Sequence, residues 1–251
     1  MKQLATSLLV ALVCSTATAS AQTTFRLGIR GGVNRALTTV APANYMSGGA
    51  YYSADKSALY AWQAGLVLEA NFNKFAFQPA ILFFQKGENQ DSYTYFSGMN
   101  GINTLQNTST NRYNWLELPL NVVYTLHSDH GLQIFAGPYV AMAVGGRQKG
   151  TEISYASTGV AGGYRTTDFD DKISYGSDTN NRRLDVGFNF GLGYRQGPVQ
   201  VQLGYGLGLR DLHRTDSPSI DPGFSPFSHN FNADTAYNRV AQLTGTYFFA
   251  L

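Results

Sequence analysis

The segment from Val199 to His213, VQVQLGYGLGLRDLH, puts Val199, Val201, Leu203, Tyr205, Leu207 and Leu209 on one face of an extended chain. Gln200, Gln202, Gly204, Gly206, Gly208 and Arg210 fall on the other. Successive side chains of a strand point to opposite faces, so period two is the signature of a strand with two unlike surfaces. Alternation kept up for about a dozen residues is longer than most strands of water-soluble sheets. Such a strand needs an extended apolar surrounding on one side and a polar, sterically tight one on the other.

The pattern recurs. In TFRLGIRGGVN, Phe25, Leu27 and Ile29 oppose Arg26, Gly28 and Arg30. In LYAWQAGLVLEANF, Trp62, Leu66, Leu68 and Phe72 oppose Gln63, Gly65, Glu69 and Asn71. In NWLELPLNVVYTL, Leu116, Leu118, Val122 and Tyr124 oppose Glu117, Pro119, Asn121 and Val123. In RLDVGFNFGLGYR, Val186, Phe188, Phe190 and Tyr194 oppose Asp185, Gly187, Asn189 and Arg195. The segment from Tyr237 sets Leu243, Tyr247 and Phe249 against Gln242, Thr244 and Thr246. FAFQPAILFFQKG from Phe75 and LQIFAGPYVAMAVGG from Leu132 are apolar on both faces, which leaves their phase open. Eight strands are expected, an even number.

Short and long connections alternate between them. NFNK (71–74), HSDHG (127–131) and RQGP (195–198) carry tight-turn residues. Arg35 to Ser57, Glu88 to Asn111, Arg147 to Arg182 and Asp211 to Ala236 read as long loops at the opposite end. A compact soluble domain avoids four such loops. An outer-membrane barrel has this asymmetry by default, with short periplasmic turns and long extracellular loops. Aromatics also collect at strand ends, Phe25, Phe72, Phe75, Phe77, Tyr124, Tyr194, Tyr247 and Phe249 at the tight-turn side and Tyr60, Trp62, Phe83, Trp115 and Tyr237 at the other, where interface girdles belong. The expected fold is therefore an all-β, eight-stranded antiparallel up-and-down transmembrane β-barrel.

The first residues, MKQLATSLLVALVCSTATASAQ, show a basic start, an apolar run and a small-x-small site at Ala19 to Ala21. This reads as a signal peptide over 1–21 ahead of a barrel domain over 22–251. Cys14, the only cysteine, falls inside the leader, so no disulfide or thiolate chemistry is expected of the rest. A formal net charge of +2 with scattered basic residues argues against nucleic acid.

Four motifs then stand in order: Gly28, Gly31, Gly32 and Asn34 (GIRGGVN); Gln85, Lys86 and Gly87 (QKG); Leu116 to Leu120 (LELPL); and Gly137, Pro138 and Tyr139 (GPY). Together they resemble the PorT-like outer-membrane β-barrel family of Bacteroidota. The resemblance implies a Gram-negative outer membrane, insertion by the barrel-assembly machinery, and accessory work in envelope or secretion processes.

Charges on the inward faces need partners. Arg26 with Glu69, Asp185 with Arg210, and Arg30 with Glu117 are expected to form a network that blocks the lumen. A narrow channel for small solutes is the alternative. The long loops carry Tyr51, Tyr52, Tyr93, Tyr95, Tyr164, Phe169, Phe224 and Phe227 among Ser, Asn, Gly and Thr, a mixture suited to binding a surface protein or glycan. Catalysis is not expected, since no nucleophile motif frames Asp211, His213, Asp216, Ser228 and His229; a lipid-modifying enzyme would have to use that fourth loop. His127 to His130 puts two histidines three apart in a predicted tight turn, where Ser, Asp and Gly are expected anyway, Asp168 to Asp171 lacks the ligand spacing of a calcium loop, and no metal or cofactor is expected.

Overall fold

A computed structural model describes residues 23–39, 45–47, 50–98, 101–127, 130–158, 161–175, 181–212 and 236–250. The leader and most of the fourth long connection, including His213, Phe224, Phe227, Ser228 and His229, lie outside these residues.

Ten strands form one antiparallel sheet: β1 (Thr24–Thr39), β2 (Tyr45–Ser47), β3 (Ala50–Phe72), β4 (Phe75–Gly98), β5 (Gly101–His127), β6 (His130–Thr158), β7 (Ala161–Lys172), β8 (Leu184–Gln196), β9 (Val199–Gly208) and β10 (Tyr237–Ala250). β1 pairs with β10 through Leu27↔Phe249 and with β3 through Leu27↔Leu68, which closes the sheet into a ring. The ring runs β1, β3, β4, β5, β6, β8, β9, β10 and back to β1. A closed ring leaves no unpaired strand edge, the condition for a sheet in hydrocarbon.

The two further strands, β2 and β7, lie in segments read from the sequence as loops. That reading is corrected here. The connection from Glu88 to Asn111 is a hairpin paired continuously out to Gly98↔Gly101. Between Arg147 and Arg182, β6 runs on to Thr158 and exchanges one partner for another: it pairs with β8 as far as Met142↔Leu184, then with β7 from Arg147↔Lys172. These extensions were illegible as strands because their buried positions, such as Ser92, Asn107, Ser109 and Asn111, are as polar as their exposed ones, so no apolar alternation marks them. Their pairing rests on cross-strand contacts between aromatic and hydroxyl residues, such as Tyr51↔Tyr95 and Tyr155↔Tyr164.

The two faces of the ring are as unlike as the sequence. Along β9 the burial alternates residue by residue, Val199, Val201, Leu203 and Tyr205 outside and Gln200, Gln202, Gly204 and Gly206 buried inside. Leu203 and Leu192 are each 63% exposed, although an ordinary core would enclose them. The uncertain phases are settled by the ring: even positions of β4 from Ala76 to Lys86 and odd positions of β6 from Gln133 to Ala143 point inward. Trp115, expected in an outer girdle, is inside and 2% exposed. It shares parity with Glu117, two residues along β5, and strand alternation sends both the same way.

Interior aromatics sit directly opposite glycines. Phe135 pairs with Gly191, Tyr139 with Gly187 and Phe248 with Gly28. A Cβ on Gly204 would come within 2.8 Å of the Phe135 ring. The glycines of the inner faces thus make room for rings that fill the centre.

Candidate functional site

The interior is built in layers. At the tight-turn end, Glu69 is fully buried and accepts from Arg195 Nη1 at 2.6 Å, from Gln78 Nε2 at 2.7 Å and from Arg26 Nη1 at 3.4 Å. Arg195 also donates from Nε to the carbonyl of Gly197 in the tight turn and lies over the Phe248 ring. Gly197 holds φ at +57°, the left-handed region glycine tolerates, so the turn brings its carbonyl back to the guanidinium. Gln78 reaches Gln200 at 3.1 Å, and Arg30 donates to Thr246 Oγ1 at 2.9 Å and to Gln78 Oε1 at 3.4 Å.

The second layer centres on Lys86. Its ammonium lies 2.9 Å from Glu117 and 3.4 Å from Asp185, among the rings of Phe84, Trp115 and Tyr139. Asp185 Oδ2 further accepts from the Tyr139 hydroxyl at 3.1 Å and from Asn238 Nδ2 at 2.8 Å. Between the layers, Gln63 donates to Asn34 and to Gln242 at 2.8 and 2.7 Å. Buried charge is tolerable only when paired and hydrogen-bonded: Glu69 with Arg195, and Lys86 with Glu117 and Asp185, meet opposite charges within 3.4 Å, while Arg30 is held by the neutral acceptors Thr246 and Gln78.

Of the expected pairs, Arg26 with Glu69 is present. Asp185 does not meet Arg210. The β9 ladder ends at Gly208↔Gly187, the chain leaves the ring there, and Arg210 sits half-buried beyond it while Asp185 takes Lys86. Nor does Arg30 contact Glu117: each has a nearer partner, Thr246 and Lys86 respectively, although both line one small central void. Lys86, Arg195 and Gln78 are the members missed. Arg195 was legible by parity with Asp185 on β8; Lys86 was not, because its segment is apolar on both faces.

The central void measures about 10 Å³, room for a single water and no solute. A second, open cavity of about 110 Å³ lies where the ring meets the outer hairpins, walled by Lys56, Glu88, Tyr113, Trp115, Tyr175 and Arg182 with neighbours from β1 and the segments before β8 and β10. Burial, and then the charge of Glu88, pushes the Tyr175 hydroxyl above the ordinary tyrosine range. That hydroxyl is therefore a neutral donor at physiological pH.

Six of the expected contact residues of the loops stand on strands instead. Tyr51, Tyr93 and Tyr164 are exposed, Tyr52, Tyr95 and Phe169 half-buried, and Tyr155 and Tyr164 pack at 4.7 Å between ring centroids. His127 and His130 stack across a tight turn at 5.2 Å. Among the described residues no three His, Cys, Asp or Glu side chains cluster as a metal site would require.

A closed antiparallel ring with an apolar exterior and a polar, charge-paired interior defines a membrane β-barrel. The family model of the outer membrane protein beta-barrel domain matches residues 20–214, and the chain belongs to that family, which places it in the outer membrane. Among curated proteins none matches it. Two solved structures align along most of the chain. The translocator domain of autotransporter NalP from Neisseria meningitidis shares 7% identity over 98% of this chain and 95% of its own, with a TM-score of 0.17. The deltaS2S3 mutant of the monoaromatic hydrocarbon channel TodX shares 10% over 93% and 91%, with a TM-score of 0.20. Superpositions at that level carry no argument about this chain's activity.

Proposed function

We propose that this protein is a non-enzymatic, eight-stranded barrel of the PorT-like kind that spans a Bacteroidota outer membrane with its lumen plugged, and that works through its outer hairpins. The observation that carries this reading is the filled interior: Glu69, Lys86, Glu117, Asp185 and Arg195 are each at most 2% exposed, and the void between them admits about one water. The hairpins β2–β3, β4–β5 and β6–β7 rise beyond the ring and present Tyr51, Tyr93 and Tyr164 to a surface protein or glycan. In this reading residues 1–21 direct export, the barrel-assembly machinery inserts the chain, and the tight turns face the periplasm.

Conductance of the refolded protein in a planar bilayer tests the plug, with Glu69→Ala and Asp185→Ala alongside. Silence in all three supports a plugged scaffold; discrete openings altered by either substitution make the protein a pore for small solutes. Pull-down from intact cells with and without residues 151–168 then tests the hairpins, and a partner retained equally by both forms removes them as the binding element.

A further inference from the structure

Charge on the outward face of the hairpin side is sorted by height. Leu116 of β5, Met142 of β6 and Leu184 of β8 are register partners in one row, and all three are exposed. Farther out, Arg112 of β5 stands directly opposite Arg147 of β6, and Arg147 directly opposite Lys172 of β7. Register partners share a face of the sheet, and these three side chains are exposed as well. Arg112 lies four positions from Leu116 along β5, so alternation puts the two on the same face. Four positions beyond the cations the face turns acidic: Asp55, Asp91, Thr108, Thr151 and Asp168 are successive partners in one row.

Like charges set directly opposite each other on a sheet repel, and the fold answers this row only in part. Arg147 Nε lies 3.3 Å from Asp170 Oδ1, an ion pair whose side chains are 61% and 41% exposed. Asp170 is also the register partner of Lys149. Arg112 finds a neutral acceptor, donating from Nη1 to Gln85 Oε1 at 3.2 Å. Asp168 is turned to the Thr151 hydroxyl at 2.7 Å. Among the described residues Arg112, Arg147, Lys149 and Lys172 thus have one carboxylate, that of Asp170, in ion-pair contact with any of them. With a rise of about 3.4 Å per residue and a strand tilt of about 40°, the four residues from Leu116 to Arg112 climb about 10 Å along the membrane normal. That climb carries the cations out of the hydrocarbon and into the layer of lipid headgroups that bounds it.

We infer that the row of Arg112, Arg147 and Lys172 binds an anionic, phosphate-bearing lipid headgroup, with the lipid's acyl chains lying on Leu116, Met142 and Leu184 below it. Adjacent guanidiniums offer paired donors that match phosphate oxygens, and the ammonium of Lys172 adds a point charge at the end of the row. Three strands side by side span about 10 Å, the breadth of one headgroup. The occupant is a membrane lipid because the cations continue an apolar, lipid-facing surface. The inference rests on the reading of the hairpin side as the outer surface only for the leaflet in which that lipid lies.

The test uses the full refolded protein in a neutral detergent, with bound lipid counted by native mass spectrometry. Dioleoyl phosphatidate is titrated against dioleoyl phosphatidylcholine, whose headgroup carries no net charge, and against inorganic phosphate. Retention of phosphatidate at a concentration at least about tenfold lower than phosphatidylcholine is the expected result. Arg112→Gln with Arg147→Gln, at unaltered heat-modifiable migration, is expected to weaken phosphatidate retention about thirtyfold, the effect of two basic residues beside an anionic headgroup. Lys74→Gln, an exposed lysine at the tight-turn end, is expected to leave it unchanged. Equal retention of the two lipids overturns the inference, as does a double variant that binds like the parent or a Lys74 variant that binds as weakly as the double one. Inorganic phosphate that displaces phosphatidate at equal concentration also overturns it, since the acyl chains would then contribute nothing. The leaflet is read separately: Ser97→Cys, exposed on β4, in a Cys14→Ser background is labelled on intact cells with a membrane-impermeant maleimide. Labelling without phosphatidate selectivity sinks the lipid site and keeps the hairpins outside; selectivity without labelling keeps the site and moves it to the inner leaflet.

Discussion

Arg195 of β8 donates to Glu69 of β3 at 2.6 Å across the ring, joining residues 126 positions apart in the chain. Both side chains are essentially inaccessible to water. Glu69→Ala leaves a guanidinium buried with its principal partner gone, a loss of about 3–5 kcal/mol for a buried pair broken on one side. The midpoint of urea unfolding, followed by heat-modifiable migration in lipid vesicles, is expected to fall accordingly. The double replacement Glu69→Leu with Arg195→Met removes both charges and is expected to recover most of the loss.

The outer face answers to depth in the membrane. Leu203 and Leu243 are register partners midway along β9 and β10, whereas Leu126 lies near the tight turn that ends β5. Leu203→Arg is expected to cost about 2–4 kcal/mol, and Leu126→Arg about 0–1 kcal/mol, the depth dependence of a lipid-facing charge. Equal costs measured for the two would place the hydrocarbon elsewhere.

Glycine on the inner face is a matter of space. At Gly204 the nearest atom to an added Cβ belongs to the Phe135 ring, and the next belong to the Gln242 side chain. Gly204→Ala is expected to destabilise by about 1–3 kcal/mol as overpacking. Phe135→Leu in the same chain relieves part of it, so the two effects should be non-additive in a double-mutant cycle.

The outer hairpins are expected to be separable from the ring. β6 pairs with β8 only as far as Met142↔Leu184, and the stretch from Arg147 onward pairs with β5 and β7. Deleting residues 151–168 is expected to leave the unfolding midpoint in vesicles within about 0.5 kcal/mol of the parent, as for surface changes remote from a core. A large fall would show the hairpins to be part of the ring's own stability.

Much of the ring was readable because parity is a local property. Val199 to Leu209 could be sorted into two faces without any partner strand, and so could Arg195 and Trp115 once Asp185 and Glu117 were placed inside. Trp115 misled because an aromatic near a strand end is equally suited to a girdle, and composition outweighed parity. Lys86 was hidden for a different reason. The ring accepts Leu82 and Phe84 on its inner face, so the segment lacks the alternation that would have set its phase, and the lysine sits beyond them among rings. Which charge meets which depends on the stagger between strands. No single strand carries that information, and Asp185 met Lys86 rather than Arg210 on that account. The outer hairpins escaped because both of their faces are polar, the buried one carrying Ser92, Asn107 and Ser109.

The pairing of β1 with both β3 and β10 has a consequence for how such a chain is made. The first strand to emerge from the ribosome acquires its second neighbour only when the last one exists. Every incomplete version of the molecule therefore has an open seam, which hydrocarbon does not tolerate. A chain cut short before Tyr237 lacks the strand that pairs with the second edge of β1 and has nothing with which to close.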